Sequence, residues 1–175
     1  SEKEKGIQQL EKIIKRVLED KARFERELRI RQQQETLKTK SFKALKGQLP
    51  WPASGRIISK FGRQWNPKLK TTTENPGIDI KGKPGSSIRT VLGGVVTTIT
   101  YIRGYGTTII VDHGGGFYTV YSHVTNIQTN VDSQVRNGDV IAYMGDSGSI
   151  NGSKLHFEIW GKGQKLDPEK WLRKK

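Results

Sequence analysis

Cysteine is absent from this chain, and histidine is limited to His113, His123 and His156. The first absence removes thiolate ligands and disulfides, and a chain without thiols suits cytosol and periplasm equally. The second confines any hydrolytic metal centre to a few positions, because such a centre needs about three imidazole or carboxylate ligands and one open site for water. Hydrophobic residues make up 33% of the 175, so a core has to be concentrated in part of the chain. No apolar run is long enough to cross a membrane, and no secretory leader pattern is present. The chain opens inside a charged helical pattern, so it is expected to be a segment of a longer protein. Acidic residues number 17 against 31 basic, a net charge of +14. The basic residues are spread throughout without a helix-turn-helix, zinc-finger or RNA-binding signature, so nucleic acid is not expected as a partner. A solvated surface, or attraction to an anionic polymer or lipid headgroup, fits the same charge.

What is present falls into two parts. From Ile7, apolar residues recur at Leu10, Ile14, Val17, Phe24 and Leu28, three and four apart except where Lys21 interrupts; this is a heptad seam. Glu11 with Lys15 and Glu19 with Arg23 stand acid-first, four apart, as a helix favours. A helix running to about Lys40 spans roughly 50 Å against roughly 35 Å for a domain of the remaining length, so the seam either reaches a further partner or packs on its own domain. After Gln32-Gln33-Gln34 the heptad fades, while Leu37, Phe42 and Leu45 stay apolar. Gly47 and Pro50-Trp51-Pro52 end the helix. The expected division is a helical arm over 1–46 and a domain over 47–175.

Within that domain the period changes to two. Gly94–Tyr101, Thr107–Val111 and Phe117–His123 alternate branched and aromatic residues. Arg103-Gly104-Tyr105-Gly106 and Gly114-Gly115-Gly116 read as hairpin turns, and Pro84-Gly85-Ser86 and Arg136-Asn137-Gly138-Asp139 as reversals. The predicted class is mainly β, a sandwich or open barrel preceded by a long coiled-coil helix.

Two short segments carry the chemistry. Asn75-Pro76-Gly77-Ile78-Asp79 has the form of a His-x-Gly-x-Asp metal motif with Asn in the His position. Lys154-Leu155-His156 has the form of His-x-His on a strand, with Lys in place of the first His. Alternation sends Lys154 and His156 out of one face, so the lysine ammonium repels any cation held there. Asn75 offers only an amide oxygen. No bound metal or cofactor is expected.

From about Leu49 to Leu172 the chain resembles the LytM domain of the lysostaphin-type zinc endopeptidases. The likeness rests on Leu49-Pro50-Trp51-Pro52, Gly55-Arg56-Ile57, Phe61-Gly62, Gly77-Ile78-Asp79-Ile80, Gly104-Tyr105-Gly106 and Asp112-His113-Gly114. It continues through Tyr121-Ser122-His123, Val135-Arg136-Asn137-Gly138, Gly145-Asp146-Ser147-Gly148, His156-Phe157-Glu158 and Pro168-Glu169-Lys170-Trp171-Leu172, in that order. The resemblance implies that the positions of Asn75, Asp79 and His156 are those of the zinc ligands. It likewise makes His123 and Lys154 the positions of the assisting histidines. With its arm and degenerate site the chain is similar to murein hydrolase activators of the EnvC type. That likeness implies an exported, periplasmic protein that switches on cell-wall N-acetylmuramoyl-alanine amidases in daughter-cell separation, its coiled coil signalled by a division ABC-transporter-like complex. The alternatives are a peptidoglycan-binding envelope scaffold and a conditionally active zinc endopeptidase.

The expected partner groove has Asn75, Asp79, His123, Lys154 and His156 as its floor and Tyr101, Arg103, Tyr105 and Tyr121 as walls, although each tyrosine also suits a sheet core. His113 reads as a turn residue. Leu37, Phe42 and Leu45 are expected to dock on the domain and to cover the groove in a resting state.

Overall fold

The computed structural model describes residues 2–146, 149 and 152–175, apart from the side chains of 33–41. Two compact units are present, Ser1–Leu37 and Lys38–Lys175. Helix α1 spans Glu2–Ala44, with Glu2 and Glu4 complementing the dipole at its start. Taken by itself the first unit is one helix, along which Ile7, Leu10, Ile14, Val17, Phe24 and Leu28 are all exposed. The heptad seam therefore finds no partner within its own unit.

The second unit is mainly β. Its elements are β1 (Arg56–Ser59), β2 (Gly62–Asn66), β3 (Thr71–Asn75), β4 (Ile78–Lys81), β5 (Ser87–Arg89), β6 (Gly94–Ile102), β7 (Gly106–Gly114) and β8 (Phe117–Ser122). They continue with β9 (Val124–Thr125), β10 (Gln134–Val135), β11 (Val140–Met144), β12 (Lys154–Gly161), β13 (Gln164–Leu166) and the short helix α2 (Pro168–Trp171). Among the described residues the main sheet runs β1-β4-β12-β8-β7-β6-β10, with β13 on β12; β5-β11-β9 and β2-β3 form smaller sheets. The predicted strands and glycine turns between residues 94 and 123 are present at nearly the predicted bounds. The β2–β3 hairpin was not foreseen.

Alternation decides what each face of the main sheet does. On one face Ile80, Leu155, Phe157, Ile159, Tyr121, Ile109 and Val111 are buried in a single core. The opposite face carries the polar residues described below. Phe42 is fully buried in that core, stacked on Phe117 with ring centroids 4.5 Å apart and tilted against His113 and Trp171, both 5.3 Å away. The compact unit accordingly begins before residue 47, since the last turn of α1 supplies one of its core aromatics. The two ends of the unit are tied together: Gly47 N donates to Trp171 O, Arg173 N to Leu49 O, and Leu49 bridges Leu172 in parallel.

His113 lies within β7, not in a turn, and is buried. Its Nδ1 is 2.9 Å from Gly93 O, an acceptor, so Nδ1 carries the proton and Nε2 faces the Thr119 hydroxyl at 2.7 Å. Burial lowers its pKa; the Gly93 hydrogen bond and the Asp112 charge oppose that without reversing it.

Candidate functional site

The register of the main sheet sets a line of polar side chains across four strands. Asp79 on β4 pairs with His156 on β12, His156 with Ser122 on β8, and Ser122 with Thr108 on β7. Ser122 and Thr108 hydroxyls are 2.9 Å apart. On β12, Lys154 and Glu158 flank His156 two residues away on either side, so alternation places all three on one face. Gly77 brings β4 into this line: a Cβ there would lie 2.1 Å from Phe157 O on β12, so only glycine permits the approach.

Around this floor is a hollow of about 390 Å³ lined by Ser59, Thr73, Glu74, Asn75, Asp79, Gly104, Tyr105, His123, Lys154 and His156. The Tyr105 ring stands 5.3 Å from that of His156. His123 enters the hollow through a backbone kink, with φ +64 directly after β8 and its N–H donating to Tyr105 O at 2.9 Å. That left-handed conformation costs on the order of 1 kcal/mol and is one histidine tolerates better than most residues.

The floor is a closed network of charge. Lys154 Nζ donates to Asp79 Oδ2 at 3.3 Å, His156 Nδ1 lies 2.6 Å from Asp79 Oδ1, and His156 Nε2 lies 2.7 Å from Glu158 Oε2. Glu158 Oε1 accepts from the Trp160 indole at 2.8 Å. Burial alone would lower the His156 pKa, but hydrogen bonds and charge from Asp79 and Glu158 outweigh it and raise it. Burial would likewise raise the two carboxyls, and their bonds to His156 instead hold both below their ordinary values. Carboxylates only accept, so both ring nitrogens of His156 donate and the ring is an imidazolium. Two cations thus face two carboxylates.

A model of the family described as Peptidase family M23 matches residues 73–168. The chain belongs to this family. It is 33% identical over 129 residues to "Murein hydrolase activator EnvC" of Escherichia coli, covering 74% of this chain and 30% of that protein. It is 39% identical over 123 residues to "Outer membrane antigenic lipoprotein B" of Haemophilus influenzae, covering 70% of this chain and 28% of that one. Among solved structures, a zinc-containing peptidase from Vibrio cholerae superposes with a TM-score of 0.65 at 22% identity, over 74% of this chain and 41% of that one, a likeness of fold. The chain spans about 30% of the length of the curated relatives it matches.

The M23 residues present here do not fit the zinc that the resemblance implies. Asn75 is engaged at both ends, Nδ2 donating to Ser59 Oγ at 2.9 Å and Oδ1 accepting from Gly77 N at 3.1 Å. A metal would have to displace the proton on His156 and take the Asp79 oxygens that Lys154 and His156 hold. Among the described residues no group of three His, Asp or Glu is arranged to hold a metal ion.

All five residues of the expected floor, Asn75, Asp79, His123, Lys154 and His156, line the M23 groove, and of the four expected wall residues Tyr105 does. Tyr121 does not. It is fully buried on the core face, its hydroxyl accepting from Val91 N at 3.1 Å, because it is one residue out of phase with Ser122. Tyr101 and Arg103 are exposed on the β6–β7 hairpin, outside the hollow's lining. Phe42 and Leu45 pack against the core and line no part of the groove; the side chain of Leu37 lies outside the described residues. Glu158 was overlooked, although the alternation that joined Lys154 to His156 extends to it. Ser59, Thr73 and Glu74 came from segments with no chemical motif.

Proposed function

We propose that this chain is a non-catalytic activator of cell-wall N-acetylmuramoyl-alanine amidases in daughter-cell separation, binding the amidase through the M23 groove. The observation that carries this reading is the ammonium of Lys154 on Asp79, where an active relative would need that carboxylate for zinc. A groove whose shape is kept while its metal chemistry is replaced by an internal salt bridge suits recognition and not hydrolysis. The name of the EnvC relative supports the activator role, and the lipoprotein relative supports an envelope location outside the cytoplasm. The exposed seam of the first unit supports a coiled coil, and we place the division ABC-transporter-like complex there as its partner.

A dye-release assay on purified peptidoglycan tests the reading. The chain alone should release nothing, and adding it to a cognate amidase should raise release severalfold. Asp79→Ala together with Tyr105→Ala should abolish that gain. Chelator-sensitive release by the chain alone would make it a peptidase. Tight binding to sacculi with no effect on the amidase would make it a scaffold.

A further inference from the structure

A second hollow, of about 360 Å³, is lined by Lys43, Lys46, Phe117, Gly161, Lys162, Leu166 and Trp171. Its floor is apolar: Phe117 and Trp171 are buried and Leu166 is half-buried against the core. Its rim is three exposed lysines, and no carboxylate lines it. The surrounding chain is basic as well. The tie between Gly47 and Trp171 brings Lys43 and Lys46 beside the C-terminal segment, in which Lys162, Lys170, Arg173 and Lys174 add further positive charge and Asp167 and Glu169 are the acidic residues of 162–175. Asp167 is occupied as the cap of α2, accepting from Glu169 N at 3.0 Å.

Such a hollow matches an amphiphile with an anionic head. The Lys46 ammonium lies over the Trp171 ring at 5.4 Å, so the charged rim and the aromatic floor meet there. Lysines in a ring offer point charges to a phosphate, and the aromatic and leucine floor offers contact to methylenes that a purely ionic polymer would not use. We propose that this hollow binds the headgroup region of an anionic phospholipid at a membrane surface, with phosphate on Lys43, Lys46 and Lys162 and the glycerol and first methylenes on Phe117, Leu166 and Trp171. None of the groove residues takes part. The site would hold the M23 domain against a bilayer while leaving the groove to its partner.

Co-sedimentation of the full chain with vesicles tests this. Vesicles of phosphatidylglycerol in phosphatidylcholine should bind it, pure phosphatidylcholine should not, and added salt should weaken the binding. Replacing Lys43→Gln, Lys46→Gln and Lys162→Asn together should lower the partition coefficient roughly a hundredfold, about fivefold for each lysine near the surface. Asn is chosen at 162 because φ there is +51. Removing the same charge elsewhere, with Lys60→Gln, Lys68→Gln and Lys83→Gln, should lower it less than about tenfold. Equal losses in the two triple variants would reduce the effect to net charge and overturn the site. Binding to soluble polyglutamate as tight as to the vesicles would replace the lipid with a general polyanion, and equal binding to phosphatidylcholine would remove the headgroup from the proposal.

Discussion

His156 and His113 sit on strands of the same sheet and are buried to nearly the same degree, yet their pKa values are shifted in opposite directions. His156 faces the groove between two carboxylates and holds its extra proton. His113 is packed beneath Phe42 with a carbonyl and a hydroxyl as partners, and stays neutral. Desolvation pushes both toward neutrality, so the partners decide. The difference teaches that burial does not make a histidine a ligand or a base. One histidine is held as a cation by its anions, and the other as a hydrogen-bonded piece of core.

The strongest way to break the comparison is to convert the groove histidine into a ligand. Asn75→His with Lys154→His removes the ammonium and adds two imidazoles, so zinc affinity should rise by at least roughly a hundredfold. Calorimetry and metal analysis after dialysis read it out. No gain over the parent would mean that the groove has changed shape as well as residues. Next in size, Phe42→Ala should cost about 4 kcal/mol by leaving a cavity above His113, whichever charge the groove carries. Urea denaturation measures it. A loss below about 1 kcal/mol would show that the last turn of α1 is not part of the core.

Asp79→Ala should cost about 2 to 3 kcal/mol in the same assay, because it leaves Lys154 and half of His156 uncompensated in a largely buried site. Lys154→Met added to it should recover part of the loss, and failure to do so would argue against the ammonium as its source. The smallest and most diagnostic effect is the pH dependence. The folded pKa of His156 lies above 6.5, so its stabilising contribution is complete below pH 6.5 and fades as pH rises through the folded value. Asp79 and Glu158, lowered from 3.8 and 4.5, contribute above those values and lose it as pH falls through their folded ones. His113 is lowered from 6.5, so its contribution is present above pH 6.5 and fades below it. The stability gap between parent and His156→Gln should therefore narrow above neutrality, and that for His113→Gln should narrow in acid. Parallel slopes would erase the distinction between the two sites.

Much of this was readable in advance where the chain alternates strongly. β6, β7 and β8 announce themselves by branched and aromatic residues bounded by glycine turns, and the groove floor by two degenerate metal motifs. The β2–β3 hairpin was not readable because its residues are polar on both faces, with Trp65 and Leu69 exposed, leaving no pattern to set a period. Tyr121 was misplaced because alternation tells which residues share a face but not which face is core. Phe42 was read as a cover for the groove, since an apolar residue past a fading heptad says that it will be buried and not where.

The sequence by itself determined which atoms the site would have to work with. Asn75 supplies an amide, Lys154 an ammonium, and a period of two fixes Lys154, His156 and Glu158 on one side of their strand. Only the tertiary structure decided what those atoms do, because β4 approaches β12 across 75 residues of chain and sets the ammonium of Lys154 on Asp79. Charge state follows from distance and desolvation, and both belong to the packed sheet rather than to any segment of the chain.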